Sequence, residues 1–147
     1  MPVSAISENQ KNAIVDNCEN IKVDLKKVQK NDARARIALG SRYETVLTNF
    51  ITPLNVRMVE NGLSNADFIE NQNDFSSSKI VFGNDYIKYQ QELEELIALD
   101  CKDKPDEFYK KLEKVRQKRK IMEQDVLKMR SLITQHVKIV TEVRGKI

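Results

Sequence analysis

From Phe108 to Ile147 apolar side chains recur in alternating steps of four and three, through Leu112, Val115, Met122, Val126, Met129, Ile133, Val140 and Val143. Only Arg119 and His136 stand on the same stepping without being apolar. An α-helix turns once in about 3.6 residues, so this spacing draws one apolar stripe that another helix must cover. The pattern lasts more than five heptads and commits the last forty residues to one long helix with a coiled-coil seam.

The composition extends that conclusion to the rest of the chain. Among 147 residues there are 4 glycines, 3 prolines and no tryptophan, which argues against a loop-rich β protein. Charged residues make up 32% and the mean hydropathy is -0.54, as expected of thin helices that each bury a stripe. The length suits a single domain. No apolar run reaches the roughly 18 residues a membrane-spanning helix needs.

Ser7 followed by Gln10 predicts a capping box at the start of the first helix. Its seam runs Ile14, Cys18, Ile21, Leu25 and Val28, is interrupted by Asp32, and resumes at Ala35, Leu39, Tyr43, Val46 and Phe50. Lys30-Asn31-Asp32 marks a local bend, and Thr52-Pro53 a kink or break. Asn61-Gly62 suits a helix C-cap, and Ser64-Asn65 offers the next N-cap with Asp67 in the first turn. In the second helix Phe68, Phe75, Phe82, Tyr89 and Leu96 recur every seven residues, and Ile69, Ile80, Tyr86 and Leu93 broaden the stripe. Ser76-Ser77-Ser78 and Gly83 soften its middle. Asp100 to Pro105 is the second turn, and Pro105-Asp106-Glu107 starts the third helix.

These signals predict an all-α chain with a flexible segment at 1–7 and one bundle domain at 8–147, its helices near 8–61, 65–99 and 105–145. Short turns imply an elongated antiparallel three-helix coiled-coil bundle whose first helix is bent or broken near Pro53. The outline is similar to a spectrin-type repeat, a likeness of architecture that carries no function. In the third helix, charged neighbours such as Lys111, Arg116, Lys118 and Glu123 leave a narrow seam. Leu132, Val137 and Ile139 widen it further on, so the second half should lie deepest.

Two cysteines occur, Cys18 and Cys101. Counting back from the first turn sets Cys101 opposite about residue 25, within reach of Cys18 if the loop after Leu99 runs along the first helix. A bridge there would stabilise the fold by roughly 2–4 kcal/mol and would belong to an oxidising compartment. Two reduced, buried thiols are the alternative.

His136 is the sole histidine and has no cysteine, Asp or Glu three or four residues away, so it reads as a seam histidine reaching for solvent or a hydrogen bond rather than a metal ligand. Arg119 should snorkel or pair with a carboxylate of a neighbouring helix. Residues 101–120 carry 9 basic and 4 acidic side chains, whereas residues 1–100 carry 11 and 15. Lys110, Lys111, Lys114 and Lys118 thus form a candidate patch for an anionic partner. These side chains spread around the helix, lack interleaved aromatics, and face Glu92, Glu94 and Glu95, which suits an ion-paired surface better than a nucleic-acid site.

No phosphate loop, nucleophile elbow, metal-ligand spacing or cofactor motif occurs, and no pair of carboxylates is set in a pocket. The expectation is a non-catalytic structural or protein-interaction bundle without cofactor or metal. It would bind another protein or itself through apolar residues off the seams, such as Ile121 and Leu127, or around Pro53. An extracytoplasmic location, secreted, periplasmic or at the cell surface, follows from the cysteine pair. Pro2-Val3-Ser4-Ala5 also resembles the end of an export signal, and the uncapped seam at Ile147 suggests a chain that continues. Two other readings fit the same residues: a ligand-sensing bundle with an aromatic-lined cavity, and a cytoplasmic coiled-coil adaptor with a basic face.

Overall fold

The computed structural model describes residues 6–63 and 65–145, and every regular element among them is helical. Helix α1 spans Glu8–Asp16 and α2 Cys18–Thr45; a π-helical turn, Val46–Ile51, leads into α3, Thr52–Glu60. Helices α4, Ala66–Ala98, and α5, Pro105–Arg144, complete the order. The expectations placed on residues 1–5, Ser64 and Ile147 lie outside the described residues.

The caps form where the local chemistry calls for them. The Ser7 hydroxyl accepts from the Gln10 amide at 3.2 Å, and the Gln10 side chain accepts from the Ser7 amide at 3.0 Å. At the end of α3, Gly62 takes φ +68°. The Leu63 amide donates to the Met58 carbonyl at 2.8 Å and the Gly62 amide to the Val59 carbonyl at 3.1 Å. This pair of bonds satisfies carbonyls that the helix end leaves open. Asn65 begins α4, its side chain accepting from the Asp67 amide at 2.8 Å. In the second turn Asp100 accepts from the amides of Lys102 and Asp103 at 2.9 and 3.2 Å.

The first helical stretch departs from the expected pattern in three places. Asn17 interrupts it before Cys18, its side-chain amide donating to the Ala13 carbonyl at 2.8 Å. Asparagine competes in this way with the helix's own amides. No interruption accompanies Lys30-Asn31-Asp32, which lie inside α2. Near Pro53 the chain stays helical: the Thr52 amide donates to the Leu47 carbonyl five residues back, so the turn is widened. Proline lacks an amide hydrogen and its ring crowds the carbonyl four residues earlier, and a π turn relieves both problems. The extra residue re-phases the stripe. Ile51 is buried completely, at 0% exposure, while the expected seam residue Phe50 is 62% exposed.

By contacts the chain divides into two compact units, Met1–Arg36 with Asp85–Ile121 and Ile37–Asn84 with Met122–Ile147. In the second, Tyr43 and Ile51 pack with Phe75 and Phe82 of α4 and with Met129 and Leu132 of α5. The Tyr43 ring meets Phe75 and Phe82 edge-on, with centroids 6.3 and 5.6 Å away. A second cluster joins Met58, Phe68 and Ile139. In the first unit Ile14, Tyr86, Tyr89, Leu93, Leu96, Phe108 and Val115 are buried. The row of large side chains every seventh residue on α4 is therefore wholly inside. Ile69 and Ile80, expected to broaden it, face outward instead. The serines at 76–78 and Gly83 do not interrupt α4.

A Cβ added at Gly83 would meet nothing within 4 Å, so Gly83→Ala should raise stability by about 0.5–1 kcal/mol by removing backbone freedom from the unfolded chain. Gly62→Ala should lower it by about 1 kcal/mol, because its positive φ penalises a side chain. Urea titration of the two variants should move the midpoint in opposite directions.

Candidate functional site

Within the second unit a groove of about 600 Å³ lies beside the π turn. One wall is Val46, Phe50, Pro53, Leu54 and Arg57; the other is Ile133, His136, Val137, Val140 and Arg144. On each wall these positions repeat by three and four, the spacing with which a helix presents one continuous face. Phe50 and Val137 are the most exposed apolar side chains in it, at 62% and 58%. The π turn puts Phe50 there, since an unbroken α register would have turned it inward. Arg57 and Arg144 lie at the C-terminal end of their walls, and no carboxylate belongs to the described lining.

His136 forms part of this groove and is 8% exposed, with its ring edge-on to Phe68 at 5.8 Å. Its Nδ1 is buried and has no hydrogen-bond partner among the described residues. Burial pushes its pKa below the ordinary imidazole value.

The other residues singled out in the sequence take structural places. Arg119 donates to Asp32 at 3.2 Å, and the Tyr89 hydroxyl donates to the other Asp32 oxygen. The Asp32 that interrupts the first seam and the Arg119 that interrupts the third thus answer each other, with Tyr89 of α4 between them. Burial, and then the hydrogen bond to Asp32, hold the Tyr89 phenol protonated well above its usual range. Arg36 lies over the Tyr86 ring at 4.9 Å. Cys18 and Cys101 are buried and stand at disulfide distance, their Cα atoms 5.6 Å apart across 83 residues of sequence. The turn after Ala98 carries Cys101 to Cys18.

Lys111 donates to Glu92 at 2.8 Å and also to Glu95, and these bonds hold its ammonium charged beyond the usual lysine range. Glu94 accepts instead from Gln90, at 3.2 Å. Lys110 and Lys114 are exposed and Lys118 half-buried. Ile121 and Leu127 are exposed, as expected of apolar residues off the seam. Among the described residues no group of three His, Cys, Asp or Glu side chains is placed to hold a metal ion, and no helix is long and apolar enough to cross a membrane.

The sequence did not single out two buried asparagines. Asn71 donates to the Leu132 carbonyl at 3.0 Å and to Gln135 at 3.3 Å. Asn55 donates to the Phe68 carbonyl at 3.1 Å and to Gln72 at 2.5 Å, while Gln72 donates to Thr52 at 3.2 Å. The signal for Asn71 was a polar residue three positions after Phe68, which resembles an ordinary surface position, and Asn55 followed no heptad aromatic. Comparison with protein-family models, curated proteins and solved structures finds no match to this chain.

A buried imidazole with a depressed pKa favours the neutral form in the fold, whereas the unfolded chain protonates near its ordinary value of about 6.5. Stability is then full above that pH and falls as pH drops below it, because the unfolded state binds the extra proton. Thermal unfolding from pH 8 to 5 should show this slope, and His136→Phe should flatten it.

Proposed function

We propose that this chain is a non-catalytic, protein-binding helical bundle of an extracytoplasmic compartment, with the groove beside the π turn as its docking surface. The observation that carries the binding role is the outward Phe50 in an apolar groove bordered by two arginines and no carboxylate. A monomer gains nothing by displaying a phenylalanine that a one-residue shift would bury. The repeating faces of both walls suit a helical segment of a partner.

The finer architecture proposed is an antiparallel three-helix coiled coil in each unit. Paired residue numbers support it. In the first unit Cys18 meets Cys101, Asp32 meets Tyr89 and Arg36 meets Tyr86, so partners in α4 and the turn after it descend as the first stretch ascends. In the second, Glu44 pairs with Lys79 and Asn55 bonds to the Phe68 carbonyl, again descending. Lys11 with Asp106 and Asp32 with Arg119 in the first unit, and Tyr43 with Met129 before Met58 with Ile139 in the second, support an α5 that ascends beside the first stretch within each unit.

The compartment is argued from Cys18 and Cys101. A bridge closing a loop of 83 residues restrains the unfolded chain and persists where no cytosolic reductant acts. Native protein should give no reaction with a thiol reagent. Cys101→Ala should cost about 2–5 kcal/mol of stability, read as a lower urea midpoint. Two titratable thiols in protein taken from its native source would reverse the compartment assignment.

A photo-reactive phenylalanine analogue at position 50, introduced in the native cells, tests the docking surface. Irradiation should yield a protein adduct from position 50 and none from exposed Val23, in the other unit. Absence of any adduct at 50, or equal yields at both positions, would remove the binding role.

A further inference from the structure

We propose that the segment entering the groove is an amphipathic helix of another protein with a carboxylate at each end of its apolar face. This rests on the docking reading above and states the chemistry of the partner. The spacing that repeats along each wall continues beyond the groove. One turn before Val46 stands Arg42, and one turn before Ile133 stands Arg130. The first wall therefore reads Arg42, Val46, Phe50, Pro53, Arg57, and the second runs from Arg130 to Arg144 in the same pattern, an apolar run closed by arginine at both ends. Arg42 and Arg130 both lie near enough to the Tyr43 phenol to favour its anion, which brings these two guanidiniums to one end. All four arginines are exposed. None belongs to the ion pairs of Lys11, Lys79, Lys111, Arg116 or Arg119.

The two walls keep step. Arg57 follows Arg42 by fifteen positions and Arg144 follows Arg130 by fourteen, and the surplus residue of the π turn accounts for the difference. Fourteen residues of helix rise about 21 Å, or nearly four turns. A rod crossing this length meets a pair of guanidiniums at each end and apolar side chains between them, Phe50 and Val137 foremost. Such ends call for carboxylates, which arginine binds through charge and two parallel hydrogen bonds. On an α-helix, positions fourteen or fifteen apart return to the same side, so one face presents both acids and the apolar residues between them. A concave channel between two helices accepts that rod, whereas a bilayer offers a plane that leaves the channel unfilled. Lysine at the ends of the partner's face would be repelled, so the four arginines select as well as hold.

Mass spectrometry of the peptide cross-linked to position 50 in the native cells reads the partner's sequence. It should be a segment of another protein with Asp or Glu fourteen or fifteen positions apart and apolar residues at steps of three and four between them. Made as a labelled peptide, that segment should bind the full chain. Arg42→Glu, Arg57→Glu, Arg130→Glu and Arg144→Glu together should weaken binding at least about tenfold, the combined loss of several exposed ion pairs. Circular dichroism should show unchanged helix content, since all four positions are exposed. Raising sodium chloride from about 0.05 to 0.5 M, which alters no residue, should weaken the wild-type complex in the same direction. The peptide with both acids changed to lysine should lose the wild-type chain and regain the fourfold variant, a rescue that a damaged fold could not give. A captured segment without the two acids overturns the proposal and leaves the docking reading standing. So does equal affinity for wild type and variant, or binding indifferent to salt. An adduct on a lipid or on a second copy of this chain overturns this partner, and the absence of any adduct removes the docking reading itself.

Discussion

A buried phenylalanine or tyrosine ring hides about 150–250 Å² from water, more than one neighbouring helix can cover from one side. Phe75 and Phe82 are covered because the first helical stretch and α5 both contribute, with Tyr43 and Ile51 from one and Met129 and Leu132 from the other. The large side chains of α4 therefore dictate that three segments meet, and the stripes of the other two helices answer that demand. Ile14 and Phe108 in one unit, and Met58 and Ile139 in the other, are likewise buried where the helical stripes place them.

Apolar stripes alone fix contact more firmly than they fix register, because one heptad can slide past another at modest cost. The buried polar groups resist sliding. Asn71 is fully buried and spends its amide hydrogens on the Leu132 carbonyl and Gln135, partners that a shift of one turn would remove. Leaving such a group unpaired costs about 1–3 kcal/mol, more than the hydrogen bond contributes in net. Asp32, Tyr89 and Arg119 do the same in the first unit, one residue from each segment. What looked like two faults in separate seams is one polar layer.

Much of this was legible in the sequence, because caps and heptads are local signals. Ser7 with Gln10, Asn61-Gly62, Asn65 and the row from Phe68 to Leu96 all take the roles their chemistry suggests. The cysteine pair also came from counting along helices of known rise. The groove was only half legible. Pro53 marked the place, and a kink or a break was the expected outcome; the chain does not break there but stays helical through a π turn. That choice depends on packing against α4 and α5, which no local pattern records. Ile69 and Ile80 were assigned to the wrong flank: the stripe does widen, through the buried Asn71, Ser78, Tyr86 and Leu93, and leaves the two isoleucines outside. His136 was located on its seam, but its unpaired Nδ1 depends on what surrounds it.

The π turn has a consequence for how such a chain could change over generations. It amounts to one surplus residue between Thr45 and Thr52, accommodated as a widened turn instead of a loop. Losing a residue there would leave the helix unbroken and the flanking packing in place, while rotating everything between the deletion and the nearest fixed contact. Phe50 would swing toward the interior and the groove would lose its most prominent side chain. The display of that ring thus depends on chain length as well as on Pro53. A single-codon deletion, which a list of substitutions would never reveal, would act as its switch.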